Sequence, residues 1–271
     1  MKKIVIIGST GLLGSSVSKY FIHKENYEVW LTYKTPNLIK WEKSIYYNPV
    51  EDFSSIKEIL ECSDYAINCI GVINKHVKNN ESNTIFLNSW FPHKLAEVCN
   101  QTKTKLIHIT TDCVFSGKKG DYNEEDFHDS TDVYGKSKSI GEPKKCMVLR
   151  TSIIGRELHN YDSLIEWAIS MKGKEVNGFL DHIWNGVTTQ QYAKCCDKII
   201  SNELYEDNLF HIFSNKVTKN QLLHLFNKKW KLDLKIRDFF STESIDRSLS
   251  TIKNLNKKLE IPSIEEQVKN L

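Results

Sequence analysis

Short apolar runs alternate with longer amphipathic ones along the first 150 residues. Residues 3–7 form a β-branched run that reads as a strand, and 11–22 place apolar positions at helical spacing. The same alternation predicts strands at 28–32, 44–47, 65–69, 105–109 and 146–149, with helices at 56–61, 80–99 and 132–141 between them. Strands separated by helices pair in parallel through right-handed crossovers. The pattern therefore predicts an α/β fold, a doubly wound parallel sheet of the Rossmann type. Past about residue 150 the rhythm loosens into helices at 163–171, 190–201 and 218–228, a strand at 209–213 and a loop over 173–186. This reading divides the chain into a dinucleotide-binding core, 1–150, and a small C-terminal substrate lobe, 151–271. The lobe's elements return to the core and cover the sheet edge where such folds bind ligands.

The first strand runs into Gly8-Ser9-Thr10-Gly11-Leu12-Leu13-Gly14, a G-x-x-G-x-x-G turn that opens a helix. The first glycine permits a tight turn, the second lets backbone approach a pyrophosphate, and the third lets helix pack on strand. The helix N-terminus then faces the anion. About twenty residues on, an acidic side chain would bind the ribose 2′-hydroxyl of NAD. Here Leu31-Thr32-Tyr33-Lys34 carries a cation instead, which suits a 2′-phosphate. The expected cofactor is NADPH, with NADH possible if Lys34 is only solvated and Tyr33 lies under the adenine.

Tyr134-Gly135-Lys136-Ser137-Lys138 contains Y-x-x-x-K in a helical pattern, and a spacing of four puts both side chains on one face. The ammonium of Lys138 is expected to lower the phenol of Tyr134 from its ordinary value near ~10 toward the working range of a general acid. A hydroxyl from the end of the fifth strand should complete the group. Thr111 is the choice and Thr110 the runner-up, to donate to a carbonyl oxygen that becomes an alkoxide as hydride arrives.

Composition removes other classes. With 37 basic against 34 acidic residues there is no electrostatic case for a nucleic-acid partner. The apolar run at the start is four residues, too short for a signal peptide, and no run suits a membrane span. Seven cysteines without paired spacing suggest neither disulfides nor a metal site, so a cytoplasmic protein without metal is expected.

Taken together, these residues resemble the extended short-chain dehydrogenases/reductases, and within them the dTDP-4-dehydrorhamnose reductase group. Thr110-Thr111-Asp112-Cys113-Val114-Phe115-Ser116-Gly117 is similar to that group's S-T-D-Y-V-F-x-G, with Cys113 in place of tyrosine. Tyr134-Gly135-Lys136-Ser137-Lys138 with Gly141-Glu142 resembles Y-G-x-[ST]-K-x-x-G-E. Leu149-Arg150-Thr151-Ser152 resembles L-R-T-S, and Gly186-Val187-Thr188 a later G-x-[PT]-T. The resemblance implies NADPH-dependent reduction of a 4-keto-6-deoxy sugar nucleotide. It implies that Cys69-Ile70-Gly71, after Asn68, pass beside the nicotinamide ribose, that Asn48-Pro49-Val50 lie near adenine, and that Asn88 anchors the catalytic residues from behind. On the substrate side it points to Val72, Cys113, Phe115 and Ile153, the last standing where the group has tryptophan. The stretch 179–185 departs from the group, and His182, Trp184 and Arg247 are candidates for the sugar or diphosphate pocket.

Two other readings stay open. Cys113 follows the catalytic hydroxyl by two residues, as in epimerase/reductases resembling GDP-fucose synthase, with His182 as the partner acid. The alternative class is a non-catalytic NADP-binding regulatory subunit on the same fold. A homodimer through the 80–99 and 132–141 helices fits either reading.

Overall fold

A computed structural model describes residues 1–36, 38, 40–77, 80–159 and 161–271. The first half alternates β1 (Lys2–Ile7), α1 (Leu12–Phe21), β2 (Tyr27–Tyr33), β3 (Ser44–Tyr46), α2 (Lys57–Glu61) and β4 (Tyr65–Asn68). Then come α3 (Asn74–Val77), α4 (Glu81–Ile85), a π-helical turn at Phe86–Trp90, and α5 (Phe91–Thr102). This half closes with β5 (Lys105–Thr110), α6 (Val133–Ile140) and β6 (Met147–Arg150). The second half begins with β7 (Ile153–Ile154), α7 (Leu164–Ser170), β8 (Glu175–Phe179), β9 (His182–Trp184), β10 (Val187–Thr188) and α8 (Thr189–Ser201). It continues through β11 (Leu209–His211), β12 (Val217–Thr218), α9 (Lys219–Trp230), β13 (Lys235–Phe239), β14 (Ile245–Asp246), α10 (Leu255–Leu259) and α11 (Ile264–Lys269).

Seven strands form one sheet in the order β11-β6-β5-β4-β1-β2-β3, all paired in parallel. The order is that of a doubly wound fold, with its reversal between β1 and β4, where such sheets bind ligands. β1 shows why an unbroken apolar run builds it. Ile4 and Ile6 enter a core under α1 and α8, while Val5 and Ile7 enter the opposite core under α2 and α5. Each is fully buried and contributes about 1.5–3 kcal/mol.

Two sequence expectations are corrected. The 80–99 helix is not uniform. Pro92 has no N–H for the Asn88 carbonyl four residues earlier, and the π turn at Phe86–Trp90 takes up the mismatch. The supposed loop at 173–186 holds two strands. β8 pairs with β13, and β9 lies between β12 and β14, so partners from far along the chain turn a polar, glycine-containing stretch into sheet. A separate apolar cluster forms where Ile165, Val176, Trp184, Leu222 and Phe226 meet, while α8, β11 and α10 pack in the main core. Among the described residues no helix is long and apolar enough to cross a membrane.

Candidate active site

The loops at the C-terminal ends of β1, β4, β5 and β6 enclose a cavity of about 470 Å³. Gly11, Leu12 and Leu13 form one wall. Residues 69–73 form the next, and Thr110, Thr111, Cys113, Tyr134 and Lys138 also line the cavity with Thr151, Ser152 and Ile153.

The glycine turn is set by close approach. Gly8 has φ +83°, and a Cβ on Gly14 would stand 2.0 Å from the Gly8 carbonyl oxygen. Thr32 holds the turn from β2: its hydroxyl accepts the Gly8 N–H at 2.9 Å and its carbonyl the Ser9 N–H at 2.8 Å. Helix α1 starts with Gly11 as its N-cap and no side-chain cap, so its first-turn N–H groups suit an anion. The turn therefore fits a dinucleotide pyrophosphate. Gly14→Ala forces backbone against backbone. It is expected to cost about 1–3 kcal/mol of stability and to abolish NADPH binding, read by thermal melting with and without cofactor.

Tyr134 and Lys138 come from α6, which Asp132 caps by accepting the Gly135 N–H at 2.8 Å. Asn88 steadies the helix from behind. Its amide donates to Ser137 Oγ at 3.2 Å and to the Val72 carbonyl at 3.0 Å, while its Oδ1 accepts the Val72 N–H at 2.8 Å. Helix and π turn meet at Gly141, where a Cβ would stand 1.7 Å from the Asn88 carbonyl oxygen. Beyond the helix, Glu142 grips the fully buried Arg150 through two hydrogen bonds of 3.1 and 2.7 Å. Arg150 also donates to His211 and His128, both of which burial keeps below the usual histidine range.

Electrostatics departs from expectation at the tyrosine. Burial pushes the Tyr134 phenol above its ordinary value, the neighbouring Cys113 adds to this, and the Thr111 hydroxyl pulls the other way. Lys138 does not bring it down. The lysine is itself buried, which lowers it to about 8 against the opposing charge of Glu142, and its Nζ donates to the Ile109 carbonyl at 3.2 Å. Thr111 donates to Asp112 at 3.1 Å and accepts the Cys113 N–H at 3.2 Å, placing its hydroxyl at the strand end. Thr110, the runner-up, also lines the cavity.

Other expected site residues fall in three places. Tyr33, Lys34, Asn48, Pro49 and Val50 lie outside the cavity, at the ends of β2 and β3. There Tyr33 is in register with Tyr46, and Lys34 is exposed near Glu51. Val72 and Ile153 line the cavity beside Cys113. Phe115 is corrected: it is fully buried, stacked on Tyr122 at 4.1 Å with the Arg150 guanidinium over it, and is a core side chain. Trp184 is likewise packed in the lobe core, with the Lys219 ammonium 5.6 Å from its ring centre. His182 stacks on Phe179 and pairs with Ser241 at 3.0 Å, and Arg247 donates to the Phe115 carbonyl at 2.9 Å, both outside the cavity wall.

The sequence reading missed the rim. His76 from α3 meets Glu157, Leu158, His159 and Asp162 from the loop before α7, and Asp162 pairs with both Lys75 and His76. Nothing in the local pattern marks these residues, because the contact spans some 85 positions.

The RmlD substrate binding domain model matches residues 1–234. A dTDP-4-dehydrorhamnose reductase from Aggregatibacter actinomycetemcomitans is 26% identical over 237 residues, covering 78% of this chain and 73% of that protein. A probable low-salt glycan biosynthesis reductase from Haloferax volcanii is 30% identical over 143 residues, covering 51% of this chain and 46% of that protein. Among solved structures, a dTDP-4-dehydrorhamnose reductase from Bacillus anthracis in complex with NADP superposes with a TM-score of 0.80. Its identity is 19%, over 100% of this chain and 98% of that one, a likeness of fold.

Proposed function

The chain belongs to the RmlD substrate-binding domain family, and from that premise we propose that it reduces the 4-keto group of a 4-keto-6-deoxy sugar nucleotide with NADPH. A role in making precursors for surface polysaccharide or glycan follows from that product class. The observation that carries the reading is the meeting of Thr111, Tyr134 and Lys138 in one cavity that the glycine turn also lines. Residues 1–150 supply the cofactor side, and 151–271 the lobe over the sugar nucleotide.

Bound NADPH supplies a hydride to the carbonyl carbon. The chain's residues handle the charge that appears on oxygen. Tyr134, held protonated by its burial, gives its proton to the forming alkoxide. Thr111 donates a hydrogen bond that strengthens as charge develops, and the Lys138 ammonium stabilises the tyrosinate left behind. Lys34, exposed at the end of β2, would hold the 2′-phosphate. Lys34→Ala is expected to lower kcat/KM for NADPH about tenfold, the scale of one exposed charge-assisted bond, and to leave NADH almost unchanged. NADH remains a weaker donor.

Cys113 argues for plain reduction. A base beside the ketone needs a thiolate, whereas burial and then the Asp112 charge push this thiol up to about 12. The test is NADPH oxidation with a dTDP-4-keto-6-deoxyhexose in deuterated water. Turnover without deuterium at C3 or C5 supports the reading. Deuterium there favours the epimerase/reductase, and tight NADPH binding without turnover across a panel of ketosugar nucleotides favours the regulatory subunit.

Two lesser points belong to the same proposal. All seven cysteines are free, which suits the reducing cytoplasm. Ile85, Trp90 and Ile140 are exposed on α4, the π turn and α6, where a homodimer would form, and a monomeric sedimentation profile would remove that part.

A further inference from the structure

His108 is a histidine in the middle of a sheet, fully buried on β5, and the chemistry described so far does not use it. It stands in register with Asn68 on β4, itself fully buried. Both side chains point toward the sheet face covered by α2 and α5, where their strand neighbours Leu106 and Ala66 are apolar core. Two polar side chains in such a place are costly unless every donor and acceptor is matched.

Every side-chain nitrogen and oxygen of the pair has a partner, and for the imidazole in one sense only. His108 Nε2 lies 3.1 Å from the carbonyl oxygen of Gly141, the C-cap of α6, and a carbonyl can only accept. The single N–H of a neutral imidazole is therefore on Nε2, and Nδ1 must accept. Its partner, at 3.0 Å, is the Asn68 amide nitrogen. That orientation turns Asn68 Oδ1 to the Ile70 N–H, which it accepts at 3.1 Å. Burial, with the Lys138 charge as the second cause, holds the imidazole well below the usual histidine range and so in the neutral form this chain needs.

The two ends of this hydrogen-bonded relay reach two segments that line the candidate site. Ile70 and Gly71 line the cavity on one side, and α6 carries Tyr134 and Lys138 on the other. At Gly71 the walls nearly touch, since a Cβ there would stand 3.6 Å from Lys138 Nζ. Asn88 ties the same walls once, between Val72 and Ser137. We propose that His108 is a positioning residue: through Asn68 and the Gly141 carbonyl it fixes the spacing between the 70–72 segment, which flanks the hydride donor, and the helix that carries the proton donor.

This rests on the reductase reading of the site, and the experiment separates the two. His108→Phe fills the space but breaks both bonds. A misplacement of ~1 Å between reacting groups costs up to about a hundredfold. The variant is therefore expected to lose tenfold to a hundredfold in kcat, with NADPH Kd within about threefold of the parent. His108→Gln keeps a donor for Gly141 and an acceptor for Asn68, and should restore kcat to within about threefold. If H108F does not fold, Asn68→Ser breaks the relay from its other end and must show the same loss in kcat alone. Parental kcat in folded H108F or N68S overturns the proposal. So does a folded H108Q that fails to recover kcat, or a loss shared equally between kcat and cofactor affinity. Should Tyr134→Phe keep full activity, the reductase reading itself fails; if Y134F is inactive and the His108 variants are normal, only the relay fails.

Discussion

Tyr134→Phe is expected to lower kcat for ketosugar reduction by about 10²–10⁴-fold while NADPH binding stays within about threefold. The aromatic ring keeps its place on α6, because the supports of that helix (the Asp132 cap, the Asn88 bridge to Ser137, the Gly141 contact) do not involve the hydroxyl. What disappears is the proton for the alkoxide. Burial raises the Tyr134 phenol, so the group stays protonated across the neutral range and is a poised acid rather than a base. Reduction then shows no acidic or neutral limb from this residue. Stopped-flow oxidation of NADPH, with cofactor affinity from fluorescence titration, separates chemistry from binding. Full activity in Y134F would overturn the assignment of the site.

Lys138→Met should have two effects of opposite sign. Activity falls by about a hundredfold or more, because the tyrosinate formed at turnover loses its counter-charge in a buried place. Stability rises. The folded protein holds Lys138 at about 8, below its unfolded value, so keeping it ionised costs stability at every pH below about 8. That cost fades as the pH climbs from there toward the unfolded value. Removing the charge with a side chain of similar length should return about 3 kcal/mol at pH 7, visible as a higher urea midpoint. The same position governs the pH profile. The ammonium is lost above about 8, so kcat/KM in the parent is flat at neutral pH and drops about tenfold per unit beyond it. In K138M that limb is absent. A parent profile that keeps rising past pH 9 would contradict the role given to the ammonium.

Much of this site was legible because its residues are close in sequence and bound by local rules. A glycine turn between strand and helix needs seven consecutive residues. The Y-x-x-x-K pair needs one helical turn and a bit more, and a hydroxyl at a strand end needs only the strand. The alternation of apolar runs with amphipathic ones was enough for the order of elements around the main sheet.

The spacing of Tyr134 and Lys138 was read correctly, but the sense of their titration was not. Periodicity says which side chains share a face, while the sign of a pKa shift depends on how much water the rest of the fold removes. For Tyr134 that desolvation is the largest cause and raises the phenol, against a smaller pull from the Thr111 hydroxyl. Phe115 went astray for a related reason. It follows the catalytic strand as a substrate contact would, yet Tyr122, His128 and Arg150 close around it.

By itself, then, the sequence determined the parallel α/β core, the glycine turn after β1 and the placing of Tyr134 and Lys138 on one helix, since each is encoded within a few residues by steric rules of backbone and helix. Tertiary structure alone decided the rest. Strands β8 and β9 exist because partners some 60 residues further on complete their hydrogen bonds. The cavity rim joins His76 to Asp162, and His108 bonds Asn68 and the Gly141 carbonyl only because β4, β5 and the end of α6 are brought together. Those features are contacts between distant segments, and their energies depend on burial that no local pattern records.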